Sequence, residues 1–285
     1  MLKNAYAKIN LSLEILKKRE DGYHNIRTIM QKVSLCDVVS VDKRDDEEIS
    51  LNCSVYVCEE KDNLAYKAAV KFRDEYRKQF GEGFGVDISI IKNIPDKAGL
   101  AGGSADCAAV LDCLYEMFPG LCYKKIELIA ASLGSDINFC LEKYKAALCT
   151  DRGIEITPCA SLMAENVLIC VPDDGLKTSD IYRMFDENPV LYDYSPSDII
   201  FEKLNNKCSD IFSHILNSFA PICEKEIPDI TEIKDIMNSS GALTSQMSGS
   251  GSSVFGIFPD RQTLDIAYSK LKNKYKKLYI CSTVE

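Results

Sequence analysis

Histidine is almost missing from this sequence, with His24 and His214 the only two. That excludes His-rich metal sites and leaves few candidates for a Ser-His-Asp triad. No run of about 18 apolar residues occurs that could span a bilayer. The N-terminus also lacks the charged stretch followed by an apolar one that a secretion signal needs, so a soluble, cytoplasmic protein is expected. Basic charge is short as well: 34 Lys and Arg stand against 43 Asp and Glu, a net of −9. This argues against a general nucleic-acid or anionic-membrane surface, and a polyphosphate ligand has to be held locally. Cysteine is abundant at thirteen, but no C-x-x-C occurs, and Cys53, Cys140, Cys149 and Cys170 lie inside apolar runs. They read as reduced core thiols rather than a disulfide framework.

At 285 residues and 46% hydrophobic content, the chain is long enough for two domains with real cores. No internal repeat or low-complexity tract interrupts it. A turn-rich stretch ending near Pro158 marks the expected boundary, which divides the chain into residues 1–158 and 159–285.

Ala5 to Leu16 alternates, with Ala7, Ile9, Leu11, Leu13 and Ile15 on one face and Lys8, Asn10, Ser12 and Glu14 on the other. Lys8 and Asn10 are therefore neighbours, and the plain reading of both is a solvated outer face. Tyr23 to Ser34, Val38 to Val41 and Ile49 to Val57 read as three further strands. Asp62 is placed to cap a helix carrying Leu64, Ala68, Phe72 and Tyr76 along one stripe.

The densest signal is Ile94 to Leu111, IPDKAGLAGGSADCAAVL, between the alternating strand Phe84 to Ile91 and an apolar helix for which Ser104 is the expected N-cap. Gly99, Gly102 and Gly103 permit positive φ and a close approach of backbone to ligand. The helix start adds unpaired N–H donors and the positive end of the macrodipole, which together favour a phosphate. No Lys follows the glycines as a Walker A loop requires, and their spacing is not that of a dinucleotide fingerprint. The plain alternative is a ligand-free strand-to-helix turn.

Downstream, Lys124 to Leu133 reads as a helix stopped at Gly134, and Asp136 stands where it could simply cap the turn Ile137 to Leu141. Ala146 to Cys149 and Val167 to Val171 read as strands, and Pro228 to Ser239 as a helix with Pro at its start and Gly241 at its stop. Gly249-Ser-Gly251 is flanked by Met247 and by Val254, Phe255, Ile257 and Phe258, so it reads as a hairpin loop rather than a flexible linker. An amphipathic helix, Arg261 to Asn273, and a last strand, Leu278 to Val284, follow.

Taken in order, AYAKINLSLEI, IPDKAGLAGGSADCAAVL and SQMSGSGSSVFGIF resemble the three motifs of the GHMP kinase superfamily, and the likeness covers essentially the whole chain. REDGYHNIRTIMQKVSLCD is similar to the branch whose acceptor is a cytidine-diphosphate alcohol. DNLAYKAA at 62–69 and LGSDINF at 133–139 also fall where that branch has its nucleotide-side helix and its catalytic Asp.

The resemblance implies a two-domain α+β fold, with an N-terminal phosphate-loop domain and a ferredoxin-like C-terminal domain. It implies an ATP- and Mg²⁺-dependent small-molecule kinase, monomeric or homodimeric, that engages neither nucleic acid nor membrane. Lys8 and Asp136 would be catalytic. Pro95 and Gly99, Leu100, Ala101, Gly102, Gly103, Ser104 and Ala105 would surround the triphosphate, with Asn63, Leu64 and Lys92 toward the nucleoside. Tyr23 and Tyr182 would sandwich the cytosine, His24 would bond its edge, Asn10 would hold the alcohol end, and Gly249 and Gly251 would close over the cradle. The metal ligand is left between Ser104 and Asp106. Asp96-Lys97, Ala101 and Asp106 depart from the usual pattern. A carboxylate at 106 repels a triphosphate unless a cation intervenes or the side chain points away along the helix. Two rival readings are a homoserine- or mevalonate-type kinase of the same superfamily and a non-catalytic nucleotide-binding protein on the same fold.

Overall fold

A computed structural model of the chain describes residues 1–141, 143–190, 192–208 and 210–285. The strands are β1 (Leu2–Lys18), β2 (His24–Arg44), β3 (Ile49–Cys53), β4 (Gly85–Ile91), β5 (Ala146–Thr150), β6 (Glu155–Pro158), β7 (Val167–Val171), β8 (Leu216–Asn217), β9 (Thr244–Met247), β10 (Val254–Ile257) and β11 (Lys277–Cys281). The helices are α1 (Leu64–Phe80), α2 (Gly102–Met117), α3 (Tyr123–Leu133), α4 (Ile137–Cys140), α5 (Thr178–Glu187), α6 (Pro196–Asn205), α7 (Ala220–Glu226), α8 (Pro228–Ser239) and α9 (Arg261–Leu271). They form two units that interleave along the chain. One comprises Met1–Ala7, Cys36–Asp96 and Ala101–Tyr144; the other comprises Lys8–Leu35, Lys97–Leu100 and Lys145–Glu285. The long strands β1 and β2 supply residues to both.

In the first unit β4 pairs antiparallel with the second half of β2, from Val38 opposite Ile91 to Arg44 opposite Gly85, and parallel with β3. Alternation puts Val39 and Val41 of β2 and Ile88 and Ile90 of β4 in the core. Helix α1 packs on α2, with Ala65, Ala68, Ala69 and Phe72 buried. Its N-cap is Asn63 rather than Asp62: Asn63 Oδ1 accepts from the Ala65 N–H at 2.9 Å. Helix α2 is buried without a break from Ala105 to Leu114, as expected of a helix that is apolar nearly all round.

In the second unit β7, β9, β10 and β11 form a fully antiparallel sheet in the order β11-β7-β10-β9, with α8 and α9 packed on it. Numbered within this sheet the strands run 4-1-3-2, the ferredoxin-like arrangement expected for the C-terminal half. The core joins Leu168, Cys170 and Val254 to Ile230, Ile233, Met237, Leu264, Ala267 and Leu271. Met247 stands opposite Val254, so the segment between them is a hairpin loop, as its apolar flanks suggested. The first half of β2 pairs with β5, which pairs with β6, while β8 runs parallel to β1 through Ser12 and Leu13.

Three further expectations change. The segments read as Tyr23 to Ser34 and Val38 to Val41 fall, from His24 on, in one continuous strand, β2, because its first half pairs with β5 and its second with β4. The strand from Ile49 stops at Cys53, since its partner β4 ends one residue beyond the Cys53–Ile90 pair; Val55 and Tyr56 are then exposed. Helix α2 begins at Gly102, so Ser104 sits inside its first turn and does not cap it. Among the described residues no disulfide is formed, and Cys140, Cys149 and Cys170 are buried. Among the described residues no helix is long and apolar enough to cross a membrane.

Candidate active site

The glycine loop leaves β4 at Ile91 and enters α2 at Gly102. Positive φ occurs at Gly99 (74°) and at Ala101 (59°), the residue before the helix. Gly102 and Gly103 are already helical, so the positive φ expected of them is not found; the chain turns at 99 and 101 instead. The first helical hydrogen bond runs from the Ala105 N–H to the Ala101 carbonyl, which leaves the N–H groups of Gly102, Gly103 and Ser104 without a partner inside the helix. A Cβ at Gly103 would meet nothing within 4 Å, whereas one at Gly102 would stand 3.0 Å from Ile94 Cγ2. N–H groups left without a helical partner at a helix start are an anion-binding arrangement.

Within the second unit the tip of this loop is held by β1 and by the β9–β10 hairpin. Lys8 Nζ donates to the Gly99 carbonyl at 2.8 Å and to Asn10 Oδ1 at 2.7 Å. Asn10 Nδ2 donates to Thr28 Oγ1 at 2.8 Å, and Ser248 Oγ donates to the Gly99 carbonyl at 3.1 Å. Lys8 is only 3% exposed and Asn10 2%, so the solvated outer face does not describe them. A Cβ at Gly99 would lie 2.2 Å from the Ser248 carbonyl, and one at Gly249 3.0 Å from both Lys8 Nζ and the Gly99 carbonyl. Here glycine is required by the approach of the two loops to each other. Gly251, with φ of 81°, faces Met247.

In the first unit, Asp136 follows Gly134 and Ser135 at the start of the single-turn helix α4. It occupies the cap position, but its side chain makes no capping bond.

Lys92 has a definite setting. Its ammonium is paired with Asp37 Oδ2 and with Asp106 Oδ2, the latter at 2.6 Å, and the three side chains are 8%, 0% and 4% exposed. Asp37 Oδ1 also accepts the N–H of Asn93 and of Ile94 at 2.7 Å. Burial pushes the Asp106 carboxyl above the usual carboxylate range; Lys92 pulls it down and Asp37 drives it further up. Burial disfavours the charge on Lys92, but Asp106 and Asp37 outweigh it and raise its pKa. The departure at 106 is therefore neutralised by Lys92, while Asp106 Oδ1 is buried without a partner. Asn63 spends its oxygen on the α1 cap and directs Nδ2 at Cys53 Sγ. Leu64 and Pro95 are half-buried beside these elements.

The three residues assigned to the cytosine are not equivalent. Tyr23 is 60% exposed, with the Arg152 guanidinium 5.1 Å from its ring centre. His24 is buried and stacks on Tyr182 with centroids 5.2 Å apart and planes 25° apart. Its Nε2 meets Asp186 Oδ1 at 2.7 Å. A hydrogen bond from Lys18 holds the Asp186 carboxyl below its ordinary range despite some desolvation, with His24 adding to the effect. An acceptor-only carboxylate makes Nε2 the donor. Asp37, Asp186 and Ser248 went unassigned in the sequence. Asp186 lies one helical turn from Tyr182, a spacing that could have drawn attention to it; Asp37 carried no such signal.

Among the described residues no group of three or more His, Cys, Asp or Glu is arranged to hold a metal ion. A glycine loop feeding a helix, with a buried lysine at its tip and a ferredoxin-like sheet in the same chain, is the construction of a GHMP kinase. The chain matches the GHMP kinases N terminal domain over residues 63–142 and the GHMP kinases C terminal family over 200–277, and it belongs to that family. It is similar to 4-diphosphocytidyl-2-C-methyl-D-erythritol kinase of Clostridium beijerinckii, at 38% identity across 98% of this chain and 99% of the relative. The protein of the same name from Clostridium perfringens is also 38% identical, across 100% of this chain and 98% of its own. A crystal structure of 4-(cytidine 5'-diphospho)-2C-methyl-D-erythritol kinase superposes with a TM-score of 0.82 at 28% identity, covering 100% of both chains. Homoserine kinase from Cytophaga hutchinsonii superposes with a TM-score of 0.73 at 15% identity, across 98% of this chain and 94% of that one, and shares the fold.

Proposed function

We propose that this chain transfers the γ-phosphoryl group of ATP to the 2-hydroxyl of 4-diphosphocytidyl-2-C-methyl-D-erythritol, in the non-mevalonate route to isoprenoid precursors. The observation that carries this reading is the buried Lys8 ammonium bonded to the Gly99 carbonyl at the tip of the glycine loop, in a chain whose full-length relatives bear the name of that kinase. Phosphoryl transfer through a loose transition state asks mainly for positioning and for stabilisation of spread negative charge. Lys8 neutralises that charge, and the N–H groups at the start of α2 cradle the phosphates within the Gly99-to-Ala105 segment. Asp136 orients or deprotonates the attacking hydroxyl. Mg²⁺ enters as the magnesium salt of ATP. Of the two loop candidates Ser104 would hold it, since Asp106 already answers Lys92, and the ion would offset charge on the phosphates.

At the nucleoside end of ATP act Asn63, Leu64 and Lys92, the last from its paired position, while Pro95 adjoins the triphosphate. Tyr23 and Tyr182 hold the cytosine by its faces, His24 reads its edge, Asn10 meets the methylerythritol end, and Gly249 and Gly251 let the hairpin loop close over the cradle. Thirteen cysteines with no disulfide among the described residues fit a reducing cytoplasm. A division of the family domains at 1–158 and 159–285 is compatible with the two family matches, which lie on either side of it.

The test is a panel of acceptors with ATP and Mg²⁺: the cytidine-diphosphate alcohol, homoserine, mevalonate and galactose. Turnover of the first alone is expected. Preference for any other acceptor, or turnover of none, overturns the reading.

A further inference from the structure

The strand β8 is only two residues long, yet its Asn217 is 2% exposed and its side chain makes three hydrogen bonds. Nδ2 donates to the Met247 carbonyl at 2.9 Å and to the Gly249 carbonyl at 2.8 Å, while Oδ1 accepts the Phe219 N–H at 2.9 Å. Both amide protons are thus spent on the carbonyls that flank Ser248. The Met247 carbonyl belongs to the peptide that enters Ser248 and the Gly249 carbonyl to the peptide one residue past it, so the two bonds clamp the 248–249 segment and restrict the direction in which the Ser248 side chain leaves the backbone. Ser248 is fully buried, and its hydroxyl lies 3.1 Å from the Gly99 carbonyl and 3.4 Å from Asn10 Oδ1. With one proton to give, the hydroxyl serves the nearer Gly99 carbonyl and accepts the Asn10 N–H at 3.3 Å. Those two acceptors, the Gly99 carbonyl and Asn10 Oδ1, are the ones that hold Lys8 Nζ.

The brace is also tied to the strand that carries the lysine. Asn217 is registered opposite Leu13 of β1, and the next residue, Ser218, donates its N–H to the Leu13 carbonyl at 2.8 Å. A Cβ at Gly249 would stand 3.0 Å from Lys8 Nζ, so the loop that Asn217 holds passes close beside the ammonium. We propose that Asn217 is a positioning residue for phosphoryl transfer: by holding the carbonyls of Met247 and Gly249 it sets Ser248, and through the Gly99 carbonyl and Asn10 it sets the Lys8 ammonium. The inference rests on the assignment of Lys8 to charge stabilisation. Asn217 itself touches neither substrate nor reacting atoms.

The test is a double-mutant cycle on the full chain, using Asn217→Ala, Ser248→Ala and the pair, with kcat and KM for ATP and for the cytidine-diphosphate alcohol. A misplaced charge-stabilising group costs up to about a hundredfold in rate. Each single variant is expected to lose about ten- to hundredfold in kcat, with both KM values within about threefold of wild type. The pair is expected to be no slower than the slower single, because both act along one path. Unchanged kcat in Asn217→Ala, or losses that multiply in the pair, overturns the inference. If Asn217→Ala does not fold, Asn217→Ser, which keeps one donor, takes its place in the cycle under the same criteria. Lys8→Met is run alongside. Retention of wild-type rate by Lys8→Met sinks the assignment of Lys8, whereas loss of rate there with an unaffected Asn217→Ala sinks only the role of Asn217.

Discussion

Replacing Asp37 by Ala removes one carboxylate from a three-charge cluster that ties together both ends of the glycine loop. Asp37 is fully buried, and it accepts the Ile94 N–H and the Lys92 ammonium. Ile94 is 3% exposed, so its orphaned N–H finds little water, at a cost of about 1–3 kcal/mol. Removing one partner of a buried ion pair costs about 3–5 kcal/mol, but Lys92 keeps Asp106 and part of that is recovered. A total near 3–5 kcal/mol is expected, with about 1–3 for Asp37→Asn, whose remaining oxygen can still accept the backbone donors. Urea unfolding with an unchanged m-value measures it. Lys92→Met combined with Asp37→Ala should cost less than the sum of the two singles, because a lone buried Asp106 takes up a proton and ceases to be a stranded charge. An Asp37→Ala protein within about 0.5 kcal/mol of wild type refutes the argument, since that is the size of an ordinary surface substitution.

Ala101→Gly should stabilise the protein by about 0.5–1 kcal/mol in thermal or urea unfolding, because Ala101 sits at a φ of 59° that costs an L-residue energy. Gly102→Val should abolish binding of an ATP analogue in calorimetry, its side chain colliding with Ile94 rather than demanding a forbidden φ. Asp136→Asn should lower kcat by about 10²–10⁴ and leave ATP affinity within a few fold, and a near-wild-type rate removes Asp136 from the chemistry. Tyr182→Ala should raise the KM of the cytidine substrate by about ten- to hundredfold with ATP unaffected, while Tyr182→Phe stays near wild type because the ring face makes the contact. Burial raises the Asp106 carboxyl, so the stability tied to its proton is present at acid pH and lost as the pH climbs from the ordinary carboxylate range toward neutrality. Asp106→Asn should flatten that limb in urea unfolding between about pH 4 and 8, and an unchanged pH profile counts against the raised carboxyl.

Local rules made much of this protein legible before any coordinates. Period-two alternation is a property of a single strand, so the shared face of Lys8 and Asn10 could be read from spacing, and β1 carries them side by side in the structure. The strand–glycine–helix sequence around Gly99 and the apolar flanks of the 248–253 loop are equally local, and both elements formed where they were read. The start of α2 was missed by three residues because a capping serine is a weak signal beside the left-handed turn at Ala101, which no composition rule foresees.

What only the tertiary structure decided is which distant groups meet. Asp37 reaches Lys92 across 55 residues, and Ser248 reaches Asn10 across 238. No periodicity encodes such pairs, because they depend on strand pairing and on helix burial closing around them. The same holds for the state of each side chain. Lys8 on a strand reads as solvated until the loop tip and the hairpin cover it, and Asp106 reads as a charge beside a phosphate until Lys92 is found against it. Charge and hydrogen bonding act over a few ångströms of space, and separation along the chain says nothing of those distances until the backbone has folded.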